Sequence, residues 1–128
     1  MKYAVIGAGG MGIQYGVLLQ EFAHKDVDFV DTWKPNVEKI REQGGAYVSQ
    51  DGEDRHLVPI NVYYPEEYAG QPDVWIVFLK QMQLDGVLKR CAHLFNEKQI
   101  VFSAMNGYGH FEKLNEYFST DCITAVPH

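Results

Sequence analysis

The sequence predicts an α/β protein built on a doubly wound, mainly parallel sheet with helices on both faces. Three observations predict it. Strand-like and helix-like stretches alternate almost throughout the chain. A glycine-rich turn, Gly7-Ala8-Gly9-Gly10-Met11-Gly12, joins the first strand to the first helix. The run Val74-Trp75-Ile76-Val77-Phe78-Leu79 is apolar at every position, as a central parallel strand covered on both faces requires.

Taken in order, Lys2 to Ile6 is a short, mostly apolar run that suits a buried strand ending in the glycine turn. Met11, Tyr15, Leu18, Leu19 and Phe22 then step by four, three, one and three, the stripe of a helix facing a sheet. Val27 to Asp31 is a second strand. Pro35 offers a preset first helical residue for a helix carrying Val37 and Ile40, and Gly44-Gly45 stops it. Ala46 to Tyr64 carries β-prone residues on either side of Asp51-Gly52 and is expected to form a hairpin-like excursion. After the strand that begins at Asp73, a helix is expected with Leu84, Val87, Leu88, Cys91, Leu94 and Phe95 on one face. A strand at Ile100 to Phe102, a helix carrying Phe111, Leu114 and Phe118, and a last strand at Ile123 to Val126 complete the pattern. Such alternation implies right-handed crossovers, and ligands then bind beyond the carboxyl ends of the strands, near the switch in strand order.

The 128 residues suit one domain (1–128), with no linker, repeat or low-complexity segment dividing it. A composition of 46% hydrophobic and 22% charged residues is that of a globular protein. A formal charge of -6 argues against nucleic acid, whose counterions only a basic face would release. No stretch reaches the ~20 apolar residues of a transmembrane helix, and the amino terminus lacks a signal-peptide layout, so no membrane partner and a cytoplasmic address are expected. Cys91 and Cys122 lie in apolar periodic segments and are expected to be reduced and structural. His24, His56, His93, His110 and His128 show no metal-ligand spacing, and no metal is expected.

Gly7, Gly9 and Gly12 form G-x-G-x-x-G between a strand and a helix, the fingerprint of a Rossmann-type dinucleotide fold. Alone the pattern is weak, and a plain connecting turn could carry it. In the dinucleotide reading Gly7 makes the tight turn, Gly9 lets the backbone approach the pyrophosphate and Gly12 allows close helix–sheet packing. The helix amino terminus, with Gly10 and Met11, faces the diphosphate. Asp31, 19 residues beyond Gly12, stands where an acidic side chain accepts hydrogen bonds from adenosine ribose hydroxyls. That favours NAD, while nearby Lys34 keeps NADP open; the bland alternative is a solvated strand-end Asp capping the next helix. Lys80 follows the most apolar strand, with Leu79 ahead of it, and Asn106 lies in Asn106-Gly107-Tyr108-Gly109 after a later strand. Both fall at the ligand end of the sheet. A snorkelling lysine and an ordinary Asn-Gly turn are the alternatives for these two, and His110 beside the turn reads as a helix-start or surface residue.

With the glycine turn, Lys80 and Asn106-Gly107-Tyr108-Gly109 in order, the chain resembles the amino-terminal domain of the ketopantoate reductase family, from Met1 to about Val126. Asp31-Thr32-Trp33, Leu79-Lys80-Gln81-Met82-Gln83-Leu84-Asp85 and Asn106-Gly107-Tyr108-Gly109-His110 look closer to its branch of NAD-dependent D-mandelate and related D-2-hydroxyacid dehydrogenases. The resemblance implies hydride transfer between a nicotinamide cofactor and a small 2-oxo or 2-hydroxy acid. It implies a catalytic setting for Lys80, beside the nicotinamide ribose, and for Asn106, which helps hold substrate and cofactor. Gly7, Gly9, Gly10, Met11, Gly12, Asp31 and Leu79 are the further cofactor contacts. Members of the family continue into a helical second domain supplying the general-acid lysine, so these residues by themselves are expected to bind NAD or NADP with little or no turnover. The chain is then either a piece of a longer protein or a natural short form. A homodimer is open to it. A regulatory NAD-sensing domain is the alternative of another class, since it uses the same glycine turn and acidic residue but has no evident need of Lys80 or Asn106; a flavin or other nucleotide would be supported by the shared fingerprint alone.

Overall fold

The computed structural model describes residues 2–7, 10–22, 26–48, 56–79, 81–103, 114–117 and 123–125. Six strands form one sheet: β1 (Lys2–Ile6), β2 (Asp26–Val30), β5 (Asn61–Tyr63), β6 (Val74–Val77), β7 (Ile100–Ser103) and β8 (Ile123–Ala125). Their order is β5-β2-β1-β6-β7-β8, and every neighbouring pair is parallel. Helices α1 (Gly10–Phe22), α2 (Lys34–Gln43) and α3 (Gln81–Cys91) connect them. A separate antiparallel hairpin of β3 (Ala46–Val48) and β4 (His56–Val58) stands apart from the sheet. The fold class expected from the sequence is the one observed.

Successive residues of a strand face opposite sides, so a sheet covered on both faces needs apolar residues at consecutive positions. Ala4, Ile6, Trp75, Val77 and Val101 face α3, packing with Leu84, Val87, Leu88 and Cys91. Val5, Val27, Phe29 and Ile76 face the other way, toward Val37 and Ile40 of α2 and the partly buried Ile13 and Leu19 of α1. Among the described residues α1 and α2 thus cover one face and α3 the other, which is why the Val74 to Leu79 run carries no polar alternation. Helix α2 stops where expected: Gly44 takes φ +82°, and the N–H groups of Gly44 and Gly45 both donate to the Ile40 carbonyl.

Three expectations are corrected. The Ala46 to Tyr64 stretch is a hairpin only as far as Val58. Beyond Pro59, which has no N–H for a ladder, Asn61–Tyr63 joins the main sheet beside β2, so what read as one excursion supplies an edge strand as well. Second, α3 ends at Cys91 and a 3-10 turn, Ala92–Leu94, follows. Leu94 and Phe95 still pack on the α3 face of the core, Phe95 through an edge-on contact with Trp75 at 5.3 Å and 81°. Third, the apolar run from Val74 to Leu79 pairs as a strand only over Val74–Val77. Leu114 is buried in the same core, while Phe111 and Phe118 lie outside the described residues.

Among the described residues, several buried polar side chains have named partners. Trp75 Nε1–H donates to Gln99 Oε1 at 2.8 Å, and Gln99 Nε2–H donates to the Pro72 carbonyl at 3.0 Å. Tyr68 donates its hydroxyl to Asp28 at 2.8 Å, and Lys2 Nζ stands 3.1 Å from the same carboxylate. Burial first, and the Asp28 carboxylate second, push the Tyr68 hydroxyl well above the ordinary tyrosine range. Cys91 is a buried free thiol, and burial raises it to about 12, which keeps it protonated near neutral pH as a small apolar side chain. Cys122 lies outside the described residues. Among the described residues no helix is long and apolar enough to cross a membrane.

Candidate functional site

The strand order reverses between β1 and β6: β2 and β5 lie on one side of that seam, β7 and β8 on the other. Parallel pairing brings the carboxyl ends of β2, β1, β6 and β7 into one row, with Ile6 opposite both Val30 and Val77. A crevice beyond this row is the expected ligand position of a doubly wound sheet. Backbone bonds continue one residue past the strands: Gly7 N–H donates to the Val30 carbonyl at 2.8 Å, Phe78 N–H to Ile6 at 2.9 Å and Asp31 N–H to Tyr63 at 3.0 Å.

Gly7 turns the chain out of β1 with φ +106°, a conformation that strains any residue with a Cβ. A Cβ there would stand 2.4 Å from the Phe78 carbonyl oxygen, and one on Gly12 would stand 2.3 Å from the Gly7 carbonyl oxygen. The first turn of α1 therefore rests directly on the glycine turn, with no side chain between backbones at the seam. Gly16, one helical turn further, would drive a Cβ to within 2.3 Å of the Phe29 ring. The spacing Gly12-x-x-x-Gly16 puts both on one helix face. It was present in the sequence as a further small residue in the pattern, but the close approach to Phe29 belongs to the sheet and could not be read locally. No acidic residue occupies the first turn of α1, so nothing there opposes the positive end of the helix.

Asp31 sits just past β2 and is 7% exposed. Its Oδ1 accepts the Thr32 N–H at 2.8 Å and the Trp33 N–H at 3.4 Å; its Oδ2 accepts from the Asn36 side-chain amide at 3.1 Å. The bland reading is thereby changed in form. The carboxylate is buried rather than solvated, and the residue at the helix cap is Trp33, with no side-chain cap bond. Asn36, not singled out in the sequence, holds the carboxylate from the first turn of α2.

Leu79 is buried in the α3-side core, with Cδ2 3.3 Å from where a Gly7 Cβ would be. Its side chain is a core element, and only its backbone is left to serve a ligand. Gly10 and Met11 are the first two residues of α1, and Lys34, the first of α2, is exposed. The structure thus brings Gly7, Gly10, Met11, Gly12, Asp31 and Leu79 to one end of the sheet. Gly9, Lys80, Asn106 and His110 lie outside the described residues. His93 Nε2 is 3.1 Å from the Pro65 carbonyl. Among the described residues no three His, Cys, Asp or Glu side chains gather as a metal site.

Comparison with known proteins gives the same fold. A 2-dehydropantoate 2-reductase of Lactococcus lactis subsp. lactis (strain IL1403) is 30% identical over 125 residues, which is 96% of this chain and 39% of the relative. One from Nostoc sp. (strain PCC 7120) is 34% identical over 115 residues, 90% of this chain and 35% of the relative. The ternary structure of D-mandelate dehydrogenase with NADH and anilino(oxo)acetate superposes with a TM-score of 0.88 at 28% identity, covering 98% of this chain and 40% of that one. A 2-dehydropantoate 2-reductase from Geobacter metallireducens GS-15 superposes with a TM-score of 0.75 at 27% identity, again over 98% of this chain and 40% of that one. The chain thus spans about two fifths of the length of the relatives it matches. The family model described as "Ketopantoate reductase PanE/ApbA" matches residues 3–126, and with the glycine cradle at the seam of a six-stranded parallel sheet and Asp31 at the end of the neighbouring β2, the chain belongs to the ketopantoate reductase family.

Proposed function

We propose that this chain binds the dinucleotide of an NAD-dependent reductase that converts a small 2-oxo acid to a D-2-hydroxy acid, pantoate-like or mandelate-like. The observation that carries the reading is the cradle at the seam. Gly7 and Gly12 let the end of β1, the Phe78 backbone and the first turn of α1 pack with no side chain between them, which sets the amino terminus of α1 at the carboxyl end of β1, where its N–H groups would meet a pyrophosphate. The residues present fit a dinucleotide for that reason. When bound, the nicotinamide supplies the hydride. The chain's part is to hold and orient it: α1 faces the diphosphate, and Asp31 accepts the ribose hydroxyls. Family membership supports placing Lys80 and Asn106 on the nicotinamide side, as residues that orient substrate and cofactor. In the matched D-mandelate dehydrogenase the partner is NADH.

Preference for NAD over NADP rests on Asp31. A 2'-phosphate would meet a carboxylate already fixed in place by Thr32, Trp33 and Asn36, and like charges held close repel. Calorimetric titration with NADH and NADPH is expected to show the tighter binding for NADH. Asp31→Ala should weaken NADH by roughly 10- to 100-fold, the worth of hydrogen bonds to a charged acceptor, and NADPH far less. Because Asp31 also braces its own loop, Asp31→Asn is the second variant: it keeps the shape, and the gap between the two cofactors should narrow. Equal losses for both cofactors in both variants would reduce Asp31 to a loop brace.

For Lys80 the expectation concerns turnover of the full-length protein that contains this chain. Lys80→Ala should leave the unfolding midpoint near its original value while kcat falls at least roughly tenfold, as for a lost orienting contact. Unchanged kcat would return Lys80 to the class of surface lysines.

A further inference from the structure

The chain has two tryptophans, and they stand in opposite settings. Trp75 is fully buried, with its N–H bonded to Gln99. Trp33 is 63% exposed, more than any other aromatic side chain among the described large hydrophobics that reach the surface. Its backbone, by contrast, is held on both sides. The N–H reaches Asp31 Oδ1, and the carbonyl accepts the N–H groups of both Asn36 and Val37 at 3.1 Å. Pro35 follows within the first turn of α2 and restricts the same segment further. A large apolar ring is therefore presented to solvent from a fixed point, two residues beyond the carboxylate proposed to hold the adenosine ribose.

Resting on the dinucleotide reading above, we propose that the Trp33 indole is the adenine-binding surface of this site, stacking on the base. The base is attached to the same sugar whose hydroxyls Asp31 would accept, so it must lie within a ribose's width of that carboxylate. Lys34, the next residue along, is exposed and flexible and offers no face for a ring. Stacking on an indole requires only a π-face, so recognition of the base is tolerant of its identity. Asp31 then selects the sugar, and Trp33 retains the base without reading its edge. A dinucleotide with hypoxanthine in place of adenine should accordingly bind this chain nearly as well as NADH.

The experiment follows tryptophan emission and calorimetric affinity in the 128-residue chain, with AMP and NADH as ligands. AMP carries no nicotinamide, so any quenching it causes reports on the base. It is expected to quench the wild-type emission and to leave the emission of Trp33→Ala, which comes from buried Trp75, unchanged. Trp33→Ala should bind NADH roughly 10- to 100-fold more weakly, the range for loss of one base stack, and Trp33→Phe should recover most of that loss. Nicotinamide mononucleotide should bind wild type and Trp33→Ala equally, which a general loosening of the site would not allow. Wild type that binds NADH while Trp33→Ala binds it equally well overturns the inference and leaves the dinucleotide reading standing. Wild type that binds no NADH overturns both.

Discussion

Gly7→Ala is expected to cost about 3 kcal/mol of folding stability and to abolish measurable NADH binding. Two separate penalties meet at this residue. The φ of +106° is one that a residue with a Cβ adopts only at a cost of about 1–3 kcal/mol. The added carbon would also stand 2.4 Å from the Phe78 carbonyl oxygen, which is backbone and cannot swing away. Phe78 is tied to β1 through its N–H bond to Ile6, so relief by moving Phe78 would open the sheet at the seam where the ligand is proposed to bind. Gly12→Ala is the informative companion. Its Cβ would reach 2.3 Å from the Gly7 carbonyl oxygen, but a helical alanine regains about 1 kcal/mol of propensity, so binding should suffer more than stability. Urea unfolding and calorimetry measure both quantities. A Gly7→Ala chain with an unchanged midpoint would show that the turn is not held tightly against Phe78.

Gln99→Leu should lower stability by about 3 kcal/mol, although it places an apolar side chain of similar size in the core. Gln99 sits among Trp75, Pro72 and Leu94 and is 2% exposed. Its amide oxygen accepts from the Trp75 indole and from Asn96 N–H; its amide nitrogen donates to the Pro72 carbonyl and, at 3.4 Å, to that of Leu94. Leucine would leave the Trp75 N–H and the Pro72 carbonyl buried without partners, at about 1–3 kcal/mol each. Trp75→Phe removes the indole donor itself and should make a subsequent Gln99→Leu change less costly than it is alone. Strictly additive losses in that cycle would mean that the two side chains do not act as a pair.

Much of the fold was legible because its signals are local. The apolar run at Val74 to Leu79, the stripe of α3 from Leu84 to Cys91 and the Gly44-Gly45 stop each depend on a few neighbouring residues and the covering of a strand on both faces. β5 escaped because three residues, Asn61–Tyr63, carry too little pattern to declare a sheet; they become a strand only by pairing with Asp28, Phe29 and Val30. Leu94 and Phe95 continued the helical stripe in sequence, yet a tighter turn delivers them to the same core. At the site, the glycines and Asp31 were visible from spacing. The brace from Asn36, the closeness of Gly16 to Phe29 and the exposure of Trp33 were not, because each depends on how α1 and α2 lie on the sheet.

The sequence by itself determined the alternation of strands and helices, the placement of the glycine turn between β1 and α1, and an acidic residue at the end of β2. Periodicity, backbone freedom and apolar runs act within a few residues and need no partner to be recognised. Only the tertiary structure decided the partnerships across the chain. It joined Gln99 to Trp75 and Tyr68 to Asp28, brought Gly7 against Phe78, and left one tryptophan in the core and the other in solvent. Those contacts join residues 24, 40 and 71 positions apart, and their energies arise from burial and close packing that exist only once the sheet has assembled.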